Sequence, residues 1–258
     1  MPAGSLALVL TAATAAGWVD AVVGGGGLLL LPAMLLANPA LPVATILGTN
    51  KLAAASGTSV AAVTYLCRTK VDWRVLGPAL ALAVLCAGFG AVLAGSVPAA
   101  DYRPAVLCVL AVVAVIITAR PRLGTVTEAS TPTRAATLAA VALGGGVIAL
   151  YDGAIGPGTG TFLILAFTAL LGVDFLHASA MAKVVNVGTN LGALVVFASG
   201  GHVWWLLGAA MGAGNMAGAR LGARTALRRG SGFVRVVLLV VVLILLAKLG
   251  YDQLRAGR

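Results

Sequence analysis

The chain contains an internal repeat, and one pair of its matched positions places lysines inside apolar sequence. A shift of 132 residues aligns residues 17–90 with residues 149–222 without a gap, and 13 of the 74 aligned positions are identical. Lys51 matches Lys183 in this alignment. Placing an ammonium group in hydrocarbon costs at least ~2.5–3.5 kcal/mol. Because this cost is incurred at two matched positions, we predict that the two charges have a function. We expect the lysines to hold an anion part-way across a membrane.

The composition indicates a membrane protein. Hydrophobic residues make up 60% of the chain, charged residues only 9%, and the mean hydropathy is +1.06, whereas a soluble domain has about 25% charged residues. We therefore predict an all-α polytopic membrane protein. Each half of the repeat has five apolar segments: 5–23, 27–37, 43–66, 74–97 and 103–119 in the first, and 135–151, 159–173, 175–199, 203–226 and 233–250 in the second.

The second segment of each half is too short to cross a bilayer, which requires about 20 helical residues. Each short segment follows a glycine-rich run, Gly24–Gly27 in the first half and Gly156–Gly160 in the second. We expect broken or re-entrant helices there, and about eight full transmembrane helices in all.

The repeat also predicts the domain organisation. Residues 1–125 form a first transmembrane repeat, residues 126–134 a polar linker, and residues 135–258 a second repeat. Such repeats are usual in secondary transporters, with the binding site at their interface. The distribution of basic residues under the positive-inside rule favours inverted repeats with both termini outside.

The net charge of +10 does not indicate a nucleic-acid partner. The basic residues lie mainly in short loops, as the positive-inside rule predicts for cytoplasmic loops. Cys67, Cys86 and Cys108 lack CxxC spacing, so we interpret them as small buried residues. The histidines His177 and His202 also lack ligand spacing, and we expect no metal and no cofactor.

Polar residues accompany both lysines. Asn50 and Thr49 precede Lys51, and Thr58 follows it by seven residues on the same helical face. In the second half, Lys183 shares a helical face with Asn186 and Asn190. An ammonium beside amide and hydroxyl groups could replace the hydration shell of an oxyanion. The alternative is a buried salt bridge of each lysine with Asp20 or Asp152 that fixes helix register.

Asp20 and Asp152 match each other in the repeat, and each precedes its glycine run by four residues. Carboxylates within membranes serve in the proton relays of transporters, so both are candidates for proton coupling. Alternatively, each could accept backbone N–H groups freed by the glycines. One side chain could fill both roles.

Glycines are also candidate substrate-binding residues, through their backbone. Glycine lets the chain leave helical geometry beside a cavity and lets helix N-termini approach an anion closely. The alternative, helix packing through small residues, explains four successive glycines poorly. The candidates are Gly24, Gly25, Gly26, Gly156 and Gly158.

The sequences DAVVGGGGLLLLPAMLL, GTNK and YDGAIGPGTGTFL together resemble the TauE/SafE family of bacterial membrane permeases. The resemblance covers nearly the whole chain. It implies an inner-membrane transporter, with family members linked to the export of sulfite, sulfoacetate and other small organosulfur anions. Residue by residue, it reaches Gly24–Gly27, Pro32, Gly48–Lys51, Asp152, Gly156–Gly160 and Lys183.

We therefore expect a multi-pass protein of the bacterial inner membrane that exports sulfite or a small organosulfonate, with proton coupling as an option. A passive anion channel, or a permease for another small oxyanion or sulfur compound, is the alternative. An enzyme is not expected, because the chain offers no HExxH or GxSxG motif. Its partners would be the anion and the lipid bilayer, and the sequence leaves open whether it forms a homo-oligomer.

Overall fold

A computed structural model describes residues 3–38, 40–94 and 132–256, and these residues contain helices and no β-strand. A π-helix spans Ala142–Ile148. The α-helices are α1 (Ala3–Val23), α2 (Gly26–Ala37), α3 (Val43–Leu66), α4 (Trp73–Leu93), α5 (Arg134–Val141), α6 (Ala149–Ala154), α7 (Thr159–Leu171), α8 (Phe175–Ser199) and α9 (Trp205–Ala256).

The predicted helical membrane protein is confirmed. In the described ranges, four helices are long and apolar enough to cross a membrane: Gly4–Val23, Trp73–Leu93, Arg134–Ala154 and Phe175–Ser199. The predicted segment 103–119 lies outside the described residues, as does the linker 126–134 apart from its last positions, 132–134.

The glycine runs break the helices where the sequence predicts. Gly24, between α1 and α2, has a φ of 81°, and the matched Gly156, between α6 and α7, has a φ of 94°. Residues with a side chain avoid this left-handed region, whereas glycine enters it freely. After the first break, Gly26 lies against Ala16 and Asp20 of α1. The α1–α2 unit is therefore a helical hairpin in which α2 folds back along α1.

The second half forms a similar hairpin. Gly144, in the π-helix, lies against Phe167 and Leu163 of α7. The short helix α7 therefore folds back along the α5–α6 helix, as α2 does along α1. A re-entrant segment of this kind is tolerated at membrane depth where its irregular backbone is buried in protein or lines a cavity.

Each hairpin packs against a helix of the other half. In α9, Gly218 meets the backbone of Thr14 and Gly222 that of Trp18, both in α1. In the second hairpin, Gly153 meets the backbone of Ala87 in α4. Small residues permit this close approach of helices in a membrane, so these glycines allow the two halves to pack closely against each other.

Helices α3 and α8 cross antiparallel at the centre. Near the start of α3, the Thr49 hydroxyl accepts a 2.9 Å hydrogen bond from the backbone N–H of Trp204, just beyond the end of α8. Further along, the Asn190 side-chain amide donates to the Thr58 hydroxyl at 3.3 Å. Both lysines lie on this central pair of helices.

Helix α9 is broken at Gly230, which has a φ of 76° and a ψ of −175°. The break lies between the predicted segments 203–226 and 233–250, so their separation is confirmed. Directly after it, the Ser231 hydroxyl donates to Asp174, the N-cap of α8, at 2.8 Å.

The prediction of buried cysteines is wrong for Cys67, which is exposed at the end of α3. Cys108 lies outside the described residues.

Candidate functional site

Lys51 forms an ion pair with Asp152 of the other half. Its ammonium nitrogen lies 2.8 Å from Asp152 Oδ2 and donates a 2.8 Å hydrogen bond to the Asp152 backbone carbonyl. The side chains are 5% and 4% exposed. The lysine of α3 therefore holds the end of the second hairpin, just before its glycine break.

Lys183 forms the matching pair with Asp20. The nitrogen lies 2.9 Å from Asp20 Oδ2, and the side chains are 0% and 15% exposed. The two pairs are reciprocal, since each lysine contacts the carboxylate of the opposite half. The predicted salt-bridge alternative is therefore present at both lysines. Because a buried salt bridge does not exclude a substrate contact, the predicted anion-binding role stays a prediction.

A cavity lies where the hairpins meet the central helices. Its volume is about 30 Å³, and one water needs roughly 10–15 Å³ on this measure, so it has room for about two waters. It is lined by Asp20, Gly24, Gly27, Asn50, Lys51, Ala54, Asp152, Gly156, Gly158, Thr159, Gly160, Asn186 and Asn190.

Most of the predicted site residues share this cavity. Lys51 and Asn50 reach it from α3, and Asn186 and Asn190 from α8. The hairpins contribute the remaining predicted residues: Asp20, Asp152, Gly24, Gly156 and Gly158. Residues from both halves therefore line one cavity.

Five predicted residues do not line it. Thr49 holds the turn after α8 through Trp204, and the Thr58 hydroxyl lies in the α3–α8 contact with Asn190. Lys183 is fully buried and paired with Asp20. Gly25 and Gly26 are turned toward neighbouring helices, with Gly25 against Val19 and Val241 and Gly26 against α1. Each of these five residues is kept out of the cavity lining for the same physical reason: it contacts another part of the protein.

The ends of the two hairpins touch beside the cavity. Gly24 and Gly160 are so close that a Cβ on either would overlap the backbone of the other. The Thr161 hydroxyl donates a 2.8 Å hydrogen bond to the carbonyl of Val23. Glycine is needed at both positions because the two backbones are in direct contact. At Gly24 the positive φ is a second reason.

Thr159 was not predicted as a site residue. Its hydroxyl donates to Asp152 Oδ1 at 2.7 Å and also contacts the Gly156 carbonyl at 2.7 Å. It stands inside the GPGTG run, so a polar residue among glycines was a signal that could have identified it. Gly27, Gly160 and Ala54 also line the cavity, and Ala54 has no chemical signature in the sequence.

The carboxylates do not act as the backbone caps that the sequence allowed. Asp152 contacts Lys51 and Thr159, and Asp20 contacts Lys183. The site therefore has two cations and two carboxylates in pairs, with amides and a hydroxyl around them. This arrangement can bind an anion at Lys51 once the lysine is released from its carboxylate. Within the described part of the chain, no cluster of three or more His, Cys, Asp and Glu side chains could hold a metal ion.

Comparisons with known proteins identify a family model and several related membrane transporter proteins. The model of the family described as "Sulfite exporter TauE/SafE" matches residues 9–249. A probable membrane transporter protein of Sinorhizobium sp. is 36% identical over 248 residues, covering 96% of this chain and 93% of that relative. One of Haemophilus influenzae is 32% identical over 248 residues, covering 96% and 95%. The probable membrane transporter protein YfcA of Escherichia coli K12 is 35% identical over 250 residues, covering 96% and 90%. No solved structure matches the chain.

Proposed function

Because the chain belongs to the sulfite exporter TauE/SafE family of membrane transporters, we propose that it moves a small oxyanion, sulfite or a small organosulfonate, outward across the bacterial inner membrane. The observation that carries this proposal is Lys51, a lysine 5% exposed that lines a cavity to which both halves contribute residues. A buried cation of this kind within a membrane marks a substrate or ion pathway by default.

The polar groups around Lys51 support an oxyanion as the substrate. Asn186 and Asn190 face the same cavity from α8, and Asn50 adjoins Lys51 on α3. Amide N–H groups and an ammonium are suitable donors for charged oxygens. The small volume of the cavity favours a solute of a few heavy atoms. Lys183 would act on the anion indirectly, through Asp20, in this conformation.

The arrangement of the helices supports transport by alternating access. Helices α3 and α8, which match in the repeat, run antiparallel to each other. This contact favours a two-fold axis in the membrane plane, and therefore inverted repeats composed of residues 1–125 and 135–258. In transporters with inverted repeats, rocking of one repeat against the other exposes a fixed central site to alternate sides.

The test is anion flux into proteoliposomes that contain the purified protein, with radiolabelled sulfite and methanesulfonate as probes. Lys51→Met should remove at least 90% of the flux. The matched control is Lys70→Met, which makes the same chemical change at an exposed loop residue and should leave the flux within twofold of wild type. Equal flux in Lys51→Met and wild type, or no flux of either probe in the wild type, would overturn the proposal.

A passive anion channel is the second candidate, because the same lysine and cavity could serve a pore. The small volume of the cavity, about 30 Å³, favours a transporter, which must bind its solute before it changes conformation, over an open pore. Flux that rises linearly with anion concentration, without saturation, would identify a channel.

A further inference from the structure

The charges around the cavity cancel, and this determines what must accompany an anion. Lys51 and Lys183 are opposed by Asp152 and Asp20, each at 2.8 or 2.9 Å. Resting on the proposed function, we propose that Asp152 takes up one proton when an anion binds to Lys51, so that anion and proton cross the membrane in the same direction.

The two pairs differ in a way that points to Asp152. Lys51 lines the cavity, whereas Lys183 is fully buried, does not line the cavity, and is paired with Asp20, which does. An anion entering the cavity therefore meets Lys51, whose charge is neutralised by Asp152. Asp20 faces the same cavity and repels the anion, which adds to the advantage of neutralising a carboxylate.

Several helices around Asp152 contribute polar or charged groups. Helix α3 contributes Lys51, and α7 contributes the Thr159 hydroxyl. The neighbouring Tyr151 donates its own hydroxyl to the Pro157 carbonyl at 2.8 Å. Of the other elements, α1 contributes Asp20 to the cavity lining and α8 contributes Asn186 and Asn190, while α4 packs on the same hairpin through Ala87 and Gly90.

The proton step balances without any further reactant. With all four groups ionised, an added anion leaves an uncompensated negative charge in a buried site, where charges are weakly screened. A proton from water on the entry side, bound to the Asp152 carboxylate, restores neutrality when the anion has a single charge. It also frees the Lys51 ammonium to face the anion. On the exit side the anion leaves, the proton returns to water, and the ion pair forms again.

This coupling is compatible with export. A singly charged sulfonate carried with one proton moves no net charge. A doubly charged anion such as sulfite carried with one proton moves one negative charge, which an inside-negative membrane potential drives outward.

The first test uses the wild-type protein and methanesulfonate, which has no proton to lose near neutral pH. Proteoliposomes containing the dye pyranine receive an inward methanesulfonate gradient in weak buffer. We expect the interior to acidify, with about one proton per anion. Anion entry without acidification would overturn the inference and leave the proposed function intact, whereas absence of anion entry would count against the proposed function itself.

The second test compares Asp152→Asn with the matched change Asp20→Asn. Flux of sulfite and methanesulfonate is measured at pH 6 and pH 8. At each pH the wild-type flux is divided by the flux of the variant, and this ratio cancels the titration of sulfite itself. The ratio for Asp152→Asn should fall from pH 6 to pH 8 by as much as about tenfold per pH unit, the limit for one proton. The ratio for Asp20→Asn should stay constant.

A flat ratio for Asp152→Asn would contradict the assignment, and so would a falling ratio for Asp20→Asn alone. If Asp152→Asn does not fold, the pyranine experiment on the wild type still decides the matter.

Discussion

Thr58 and Asn190, which are 132 residues apart, hydrogen-bond to each other at 3.3 Å where α3 crosses α8. This separation equals the offset of the internal repeat, so the two residues occupy the same position in the two halves. A position can contact its own counterpart only near the axis that relates the repeats. In the proposed arrangement of inverted repeats, the crossing of α3 and α8 would therefore lie on the axis between the two halves.

The hydrogen bond at this crossing should contribute little to stability. Polar contacts between membrane helices average about 0.6 kcal/mol in double-mutant cycles. We predict a coupling of about that size between Thr58→Val and Asn190→Ala, obtained from thermal unfolding in detergent of both single variants and the double variant. A coupling above about 2 kcal/mol would show that the contact is a main structural link.

Lys51→Met should lower stability as well as flux, because it leaves Asp152 buried without its cation. The expected loss is about 3–5 kcal/mol. Adding Asp152→Asn removes the unpaired carboxylate, so the double variant should regain most of the unfolding temperature but no anion flux. Recovery of flux in the double variant would show that the ammonium is not required for transport.

Gly24→Ala should prevent correct packing of the hairpins. The new Cβ would overlap the backbone of Gly160, at a residue with a φ of 81°. Strain and overpacking together cost about 3 kcal/mol or more.

The matched control is Gly77→Ala in α4, where a Cβ meets no atom within 4 Å. It should change the unfolding free energy by less than about 1 kcal/mol. Both variants are compared by thermal unfolding and by monodispersity in detergent. An equally stable Gly24→Ala would contradict the contact between the hairpins.

Asp174→Ala should destabilise more than Asp72→Ala. Both residues are helix N-caps, and loss of such a cap costs about 1 kcal/mol. Asp174 also accepts a hydrogen bond from Ser231 and lies 2.7 Å from His177 Nδ1, whereas the side chain of Asp72 accepts from the backbone N–H of Arg74. The difference is measured by thermal unfolding, and equal losses would show that the Ser231 contact contributes nothing.

The sequence predicts the helices well, for identifiable reasons. Apolar runs bounded by polar residues predict α3 at its observed ends, and the glycine runs predict both hairpin breaks through φ values that other residues avoid. Rare charges in apolar sequence predicted Lys51 and Asp152 as site residues, and both line the cavity.

The sequence could not indicate which groups face the cavity. Thr49 and Thr58 share helical turns or faces with Lys51, yet their hydroxyls are held by Trp204 and Asn190, residues far away in the chain. The pairing of Lys183 with Asp20 is likewise a tertiary contact. Spacing along one helix defines a face, whereas the neighbours of that face depend on how the helices pack.

The reciprocal lysine–aspartate pairs have a consequence for the origin and assembly of the chain. Either half synthesised separately would insert a lysine and an aspartate whose charges find their counterparts only in the other half. Two copies of a single ancestral half, placed head to tail in the bilayer, would have satisfied each other in the same way. In the proposed organisation as two inverted repeats, the chain corresponds to such a dimer joined into one polypeptide.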